Sequence, residues 1–359
     1  MSHLSFVPSD AAPLLIAGGA LLIGVAVTMA CNLSRVKVMR VGAIAAPLAL
    51  LAAQIPIGSA AALAASVPPV TYSRYVGTLS MYTMGCNQGR ASDSQGQPPQ
   101  IAILSFGDPG WNNSGTYGAW DNRLPGGFAT ISQIQTAVES YMQGFWNCTV
   151  AGGHSFMDVA PGVTNHGGAG TSGHGTAWGN MVTNLENWIQ SNGFGSQLYA
   201  MGSGDLEPSW GPVGQTESWT NAFNATGNQY LDFGSADGCP PYGGCNNGWS
   251  QSSVYFVAWG EPAAQAVPEI FTESGSQANQ WESISLWGSY HGSAGGMAFA
   301  AAMSQYQACI DVGSSCSGED NTPAQSWTQL TNAMNSNSRT STSTVGPIPY
   351  ATEMSYRTS

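Results

Sequence analysis

The sequence predicts an α/β protein: an irregular (β/α)8 barrel of the TIM type, preceded by one or two hydrophobic N-terminal segments. Three observations predict it. Short apolar, β-rich runs alternate with stretches of helical periodicity, the pattern of strands joined by crossover helices. Eight such runs follow Tyr75 in roughly 270 residues, the count and length of a closed barrel. The run Ile101-Ala102-Ile103-Leu104-Ser105-Phe106 is continuously apolar, as a strand covered on both faces of a parallel sheet must be.

The elements follow in order. A first strand is expected in Tyr75–Tyr82, then a polar loop from Asn87 to Pro99 and a second strand, Ile101–Phe106, ending in Gly107-Asp108-Pro109-Gly110-Trp111. Thr130 or Ser132 can cap a helix with Ile134, Ala137, Val138, Tyr141, Met142 and Phe145 on one face. Ser155–Ala160 reads as the third strand, followed by a Gly-rich loop with His166 and His174 and a helix from about Thr176 to Gln190. The fourth strand, Leu198–Met201, runs through small residues into Asp205-Leu206-Glu207-Pro208-Ser209-Trp210, and Thr216–Phe223 is a short helix. Gln229–Phe233, Val254–Trp259, Ala266–Phe271 and Ile284–Trp287 complete the eight strands. Helices Met297–Cys309 and Thr322–Met334 and a Ser/Thr-rich tail, 336–359, close the chain. Few helices separate the first strand from the second, or the fifth through seventh, which makes the barrel irregular. Its expected span is 74–335, after a Pro68-Pro69 linker at 66–73.

The first 65 residues set the compartment. Ala11–Ala30 and Val41–Ala65 are apolar runs long enough to span a bilayer, with basic Arg35, Lys37 and Arg40 between them. Either both are membrane anchors, or the second is a signal peptide cut near Ala64, with a true start at Met29 or Met39. Both readings export residues 66–359, to the cell surface or the exterior, and make the membrane a partner of the N-terminal segment alone. Six cysteines follow, an even number for an oxidising compartment. Cys239 with Cys245 and Cys309 with Cys316 are close enough in sequence to staple a loop each, and Cys86 with Cys148 remains. Past residue 65, five arginines stand against nineteen acids, a balance of −14 that excludes a nucleic-acid partner.

The chemistry centres on Asp205 and Glu207. One residue apart in an extended segment, they share a face, and two such charges cannot both ionise cheaply, so one carboxyl pKa rises. Asp108, Asp158, Asp205, Glu207, Asp237, Trp259 and His291 fall at or just past expected strand ends, where a barrel builds its active site. Trp111, Trp210, Trp259, Trp287 and Tyr290 offer flat faces near the same rim, which with the acids and an uncharged, hydroxyl-rich surface fits a carbohydrate. A glycosidase needs one protonated carboxyl and one carboxylate. Glu207, beside Pro208 and Trp210, is the expected acid, and Asp205, Asp158 or Glu269 the second group.

This layout resembles the glycoside-hydrolase-like (β/α)8 barrels of exported bacterial proteins, including the family 25 lysozymes and family 18 chitinases, in which an Asp-x-Glu closes the fourth strand. The resemblance covers residues 72 to 310 in layout and three residues in motif. It implies that Glu207 is the general acid and Asp205 its electrostatic partner. Two features depart from it: the longer Asp-x-x-Asp-x-Asp-x-Glu of the chitinases is absent, with Ser203 at one of its acid positions, and the expected first strand ends in Tyr82-Thr83-Met84 without the acid of a family 25 lysozyme.

Other chemistries are weaker. His154, His166, His174 and His291 lie in separate stretches without metal-ligand spacing, so no metal is expected. No cofactor fingerprint or serine-nucleophile elbow is present. Two functions follow: an exported glycoside hydrolase acting on a cell-wall or environmental polysaccharide, or a cell-surface carbohydrate-binding or structural protein on the same fold without turnover.

Overall fold

The computed structural model describes residues 66–149, 155–168, 170–240, 244–313 and 316–357. The expected hydrophobic segments lie outside the described residues, as does His154. Among the described residues no helix is long and apolar enough to cross a membrane.

In chain order the elements are β1 (Val70–Tyr75), α1 (Tyr82–Ser94), β2 (Gln100–Ser105), β3 (Asp108–Trp111), β4 (Tyr117–Trp120), β5 (Phe128–Thr130), α2 (Ile131–Cys148), β6 (Met157–Thr164) and α3 (Ser172–Ser191). Then come β7 (Leu198–Ala200), β8 (Gly202–Asp205), α4 (Val213–Asn224), β9 (Tyr230–Asp232), α5 (Gln251–Tyr255), a π-helical turn at Phe256–Gly260, β10 (Ala264–Ala266) and α6 (Ser276–His291). The last are β11 (Ala301–Ser304), α7 (Tyr306–Val312), α8 (Pro323–Asn335), α9 (Thr342–Val345) and β12 (Tyr350–Ser355). β7 and β8 are one strand interrupted at Met201, so eight strands run β1, β2, β6, β7/β8, β9, β10, β11, β12, each parallel to its neighbour. β12 pairs with both β11 and β1. The circle closes where Ala300 N–H donates to the Ala266 carbonyl (2.8 Å) and Ile270 N–H to that of Met303 (2.9 Å). The chain is therefore a nearly closed (β/α)8 barrel, as expected.

Two apolar sets divide its strands by alternation. Ile101, Ile103, Ala160, Met201, Leu231, Val267, Met303 and Met354 pack together along the axis. Ala102, Leu104, Val159, Leu198, Ala200, Tyr230 and Ala302 face outward against the helices. Period-two alternation on both apolar faces is what a strand between a filled core and a helix layer requires. A capping box starts α2, with Gln133 N–H donating to Thr130 Oγ1 and Thr130 N–H to Gln133 Oε1; Thr322 and Gln325 repeat it at α8. All three disulfides form in the expected pairing, Cys86–Cys148, Cys239–Cys245 and Cys309–Cys316.

Several expected elements are different. The first strand lies earlier, at Val70–Tyr75, and the helix α1 occupies most of the expected loop. Val254–Trp259 is helical and Ile284–Trp287 lies inside α6. The seventh strand is Ala301–Ser304, within a stretch expected to be helix. The eighth, Tyr350–Ser355, lies in the supposed tail, so the barrel runs beyond both ends of 74–335.

Candidate active site

The fourth barrel strand carries the site. Met201 and Ser203 point to the axis, where Ser203 Oγ donates to the Ala160 carbonyl (2.8 Å), so Asp205 and Glu207 follow on the same inward face. Asn165, at the end of β6, pins their backbone. Its N–H donates to the Asp205 carbonyl (3.0 Å), its Nδ2 to that of Glu207 (3.0 Å), and its Oδ1 accepts from Glu207 N–H (3.1 Å). Gly234, past β9, lies so close that a Cβ there would sit 2.6 Å from Leu206 N, which lets Ser235 reach Glu207. Ser235 N–H donates to Glu207 Oε1 (3.4 Å), and its side chain also hydrogen-bonds this carboxylate.

Glu269 completes the site from just past the sixth barrel strand, β10. It bridges in register to Met303 and lies on the inward face with Val267. Asp205, Glu207 and Glu269 each bring a carboxyl oxygen within 4.8 Å of the others, and they are only 2, 5 and 7 % exposed. Three carboxylates so close in a low-dielectric site cannot all be charged. Burial holds Asp205 well above the ordinary carboxylate range, helped by Glu207, Asp232 and Asp108. Burial likewise raises Glu269 far, with the charges of Asp205 and Glu207 adding to it. Glu207 rises only to about 7, because burial is opposed by hydrogen bonds from Ser235 and from Glu269. Glu207 and Glu269 share a hydrogen bond, so the pair holds a proton between its oxygens and titrates as a unit. These oxygens stand close enough to ligate a cation, and Ser235 already donates to Glu207 Oε1.

Side chains from four other strand ends surround the trio. Tyr75 ends β1 and faces it; burial, then the charges of Glu269 and Asp205, keep its phenol protonated. Tyr75 stacks on Tyr356, just past β12 (4.8 Å), and the Arg123 guanidinium lies over both rings while paired to Asp121. Opposite, Thr164 meets Asp205 in register and donates to Asp108 Oδ1 (2.7 Å), whose other oxygen pairs with His166 Nδ1 (3.0 Å). Trp210 stands edge-on to His166 (6.0 Å), and Trp111 and Trp210 are 48 and 41 % exposed.

The structure thus brings Asp205, Glu207, Glu269, Asp108, Trp210 and Trp111 to one end of the barrel and leaves the other expected residues elsewhere. Asp158 is the second residue of β6, six before Thr164, or about 20 Å down the strand. It points into the floor of the barrel near Tyr350, pushed up to about 7 by burial and by Glu186, and is too far to be the second carboxylate. Trp259 is buried in the turn that precedes β10, at the wrong end of that strand. Trp287, Tyr290 and His291 end α6, which returns to the floor; they pack with Tyr255 and Arg339 there. His174 is buried and neutral, its pKa lowered to about 4 by burial, with Trp219 Nε1–H on Nδ1 and the Gly118 carbonyl at Nε2. Tyr75, Ser235, Asn165 and Tyr356 are the site residues that sequence reasoning missed. Tyr75 opens the strand expected from the sequence and closes the real one, so its place at the rim was hidden by the shifted strand, and no pattern marks the others.

No family model matches the chain, and no curated protein matches it. Among solved structures it is similar to a glycoside hydrolase family 5 protein from Bacteroides vulgatus, at 11 % identity and a TM-score of 0.27, over 64 % of this chain and 58 % of that one. The chain thus matches less than two thirds of that protein's length. A superposition this loose transfers no residue and no substrate.

Proposed function

We propose that the protein is a retaining glycoside hydrolase acting on an extracellular polysaccharide. The buried trio of Asp205, Glu207 and Glu269 at the strand ends, one carboxyl holding a proton against its neighbour, carries this reading. Retaining enzymes hold their two carboxyls about 5 to 5.5 Å apart, inverting ones about 6.5 to 9.5 Å to admit a water between them. Glu207 and Glu269 share a hydrogen bond and lie with their oxygens within 4.8 Å, too close to admit a water between them, which favours the first class over the second. The exposed indoles of Trp111 and Trp210 and the neutral phenol of Tyr75 supply stacking and hydrogen bonding for a sugar. Three disulfides accord with work outside the cytoplasm.

The more strongly raised carboxyl, Glu269, is assigned the proton, which makes it the acid and Glu207 the nucleophile, whereas the family resemblance implies Glu207 as the acid. Glu269 donates its proton to the leaving glycosidic oxygen as the Glu207 carboxylate attacks the anomeric carbon. The C–O bond breaks and a glycosyl ester forms on Glu207. A water, deprotonated by the Glu269 carboxylate, then releases the sugar and returns the proton to Glu269. Asp205, its carboxyl also held above the ordinary range, keeps repulsion beside them low.

The test is to assay the full-length protein and its Glu207→Gln and Glu269→Gln variants on glycol chitin, mixed-linkage β-glucan and peptidoglycan, following the first-formed anomer by NMR. Retention of configuration, with losses of about 100-fold or more in each variant, is expected. Binding without turnover in every form would replace the hydrolase with a carbohydrate-binding protein. Chelator should leave turnover unchanged, since the trio is arranged around a proton.

A further inference from the structure

The barrel carries an addition that the carboxyl chemistry does not use. Between β2 and α2, the strands β3, β4 and β5 form a small antiparallel sheet. One of its faces is packed down through Pro109, Ala119 and Ala129, all buried. The other bears Asp108, Trp120 and Phe128 side by side, with Gly110, Gly118 and Thr130 as the next row. Trp120 was singled out by nothing in the sequence, yet it is 45 % exposed, a large apolar group that burial does not explain.

Its setting is built rather than incidental. The indole is laid flat along the sheet: a Cβ at Gly110 would stand 2.5 Å from Trp120 Cδ1, so only glycine leaves room for the ring. Phe128 does the same over Gly118, where a Cβ would come 2.6 Å from its Cζ. The two rings support each other at 4.6 Å. The sheet itself is anchored, because the Gly118 carbonyl accepts from the buried His174 that Trp219 holds in place. Ordering two aromatic rings on an exposed surface in advance lowers the entropy lost when a flat apolar ligand face settles on them.

The platform is continuous with the mouth on both sides. Trp120 is directly paired with Asp108, which contacts Thr164 and His166 beside Asp205. The next residue, Asp121, holds Arg123 over Tyr75 and Tyr356 at the mouth. Trp120 thus lies on the sheet between these two groups at the rim.

We propose that this face is a second carbohydrate subsite, in which Trp120 and Phe128 stack a pyranose ring of the same polysaccharide several units from the bond that is cut. The proposal rests on the hydrolase reading for its ligand class and adds that the enzyme is built for polymers rather than short oligosaccharides.

The experiment uses the full-length Glu269→Gln protein, whose expected turnover is at least about 100-fold slower, in affinity gels containing glycol chitin, mixed-linkage β-glucan or peptidoglycan fragments. Adding Trp120→Ala or Trp120→Gln should weaken retention by the bound polymer about tenfold, the scale of one lost stacking contact plus its buried area. In the active background the same changes should raise KM for that polymer by a similar factor, while turnover of the matching trisaccharide falls less than twofold. Unchanged melting temperatures show that the sheet survives; if the alanine variant does not melt cooperatively, the glutamine variant, which keeps side-chain bulk at the sheet face, decides. Equal retention with and without Trp120, or no retention of any polymer by Glu269→Gln, overturns the subsite and leaves the assays of Glu207 and Glu269 untouched. Retention that depends on Trp120, with turnover insensitive to Glu207→Gln and Glu269→Gln, overturns the hydrolase and keeps the platform.

Discussion

Glu207 and Glu269 differ only in what surrounds them, and that difference sets the pH dependence. Turnover in the proposed mechanism needs Glu207 ionised and Glu269 protonated. Burial raises both carboxyls, Glu207 to about 7 and Glu269 further still. The expected kcat/KM therefore rises through about pH 7 and falls only in the alkaline range; a profile that peaks near pH 5 would refute the assignment. Removing the donor with Ser235→Ala takes away a stabiliser of the Glu207 anion, and the acidic limb should shift to higher pH. The floor of the barrel offers a control away from catalysis. Asp158 has a folded pKa raised to about 7, above the unfolded value near 4, so its contribution is fully present below about pH 4 and is lost as pH rises to 7. Each pH unit across that window costs at most about 1.4 kcal/mol, and Asp158→Asn removes the slope. Melting curves at pH 5 and 8 should show the variant gaining several degrees over the parent at pH 8 and little at pH 5. At this scale the sequence reveals that Asp205 and Glu207 share a face, because alternation is local. It does not reveal which carboxyl is protonated, because Ser235, Glu269 and Tyr75 arrive from three other strands.

At the scale of elements, the pair α1 and α2 shows how the barrel holds helices this close. A Cβ at Gly85 would stand 1.9 Å from the Tyr141 carbonyl oxygen, and one at Gly144 would stand 2.0 Å from that of Tyr82. The two glycines let the backbones touch, and Cys86–Cys148 locks the same contact. Gly144→Ala must separate the helices, an overpacking cost of about 1–3 kcal/mol. Loss of the disulfide frees a 62-residue separation, about 4 kcal/mol of loop entropy. Thermal melts should show Gly144→Ala and Cys86→Ala/Cys148→Ala each lowering Tm by several degrees, with less than additive loss together, since both act on one contact. The misread elements have physical causes of the same kind. The buried stripe of α6 is Gln277, Ala278, Trp281, Ile284, Ser285 and Gly288, so polar and small residues blur its helical period and Ile284–Trp287 stands out as a strand. Val254–Trp259 is apolar throughout because the π-turn is covered on most sides by β9, β10 and α4. The α1 segment carries Gly85, Gly89 and several polar residues, which read as loop until the helix–helix contact accounts for the glycines.

At the scale of the whole molecule, eight strands were expected and eight are found, although two expected strands are helical and two real ones went unread. β11 is Ala301-Ala302-Met303-Ser304, made of residues with little β preference, and its position is set by closure rather than by propensity. β12 is Tyr350-Ala351-Thr352-Glu353-Met354-Ser355, with Glu353 on the outer face accepting from Gln307 N–H at the start of α7. Closure makes this last strand indispensable. It hydrogen-bonds β1 on one side and β11 on the other, buries Ala351 and Met354, and brings Tyr356 onto Tyr75 at the mouth. Ending the chain after residue 335 would expose two strand edges facing each other across a gap, leave the Trp327 indole without its Ile348 acceptor, and open the inner core to water. Such a chain should fail to melt cooperatively and should aggregate, whereas a chain ending after Arg357 keeps every contact named above. Circular-dichroism melts and size-exclusion profiles of the two truncations decide between a barrel that needs its C-terminal strand and one that merely carries a tail. A monomeric, cooperatively melting 335-residue product would show that the ring is held by its first seven strands alone.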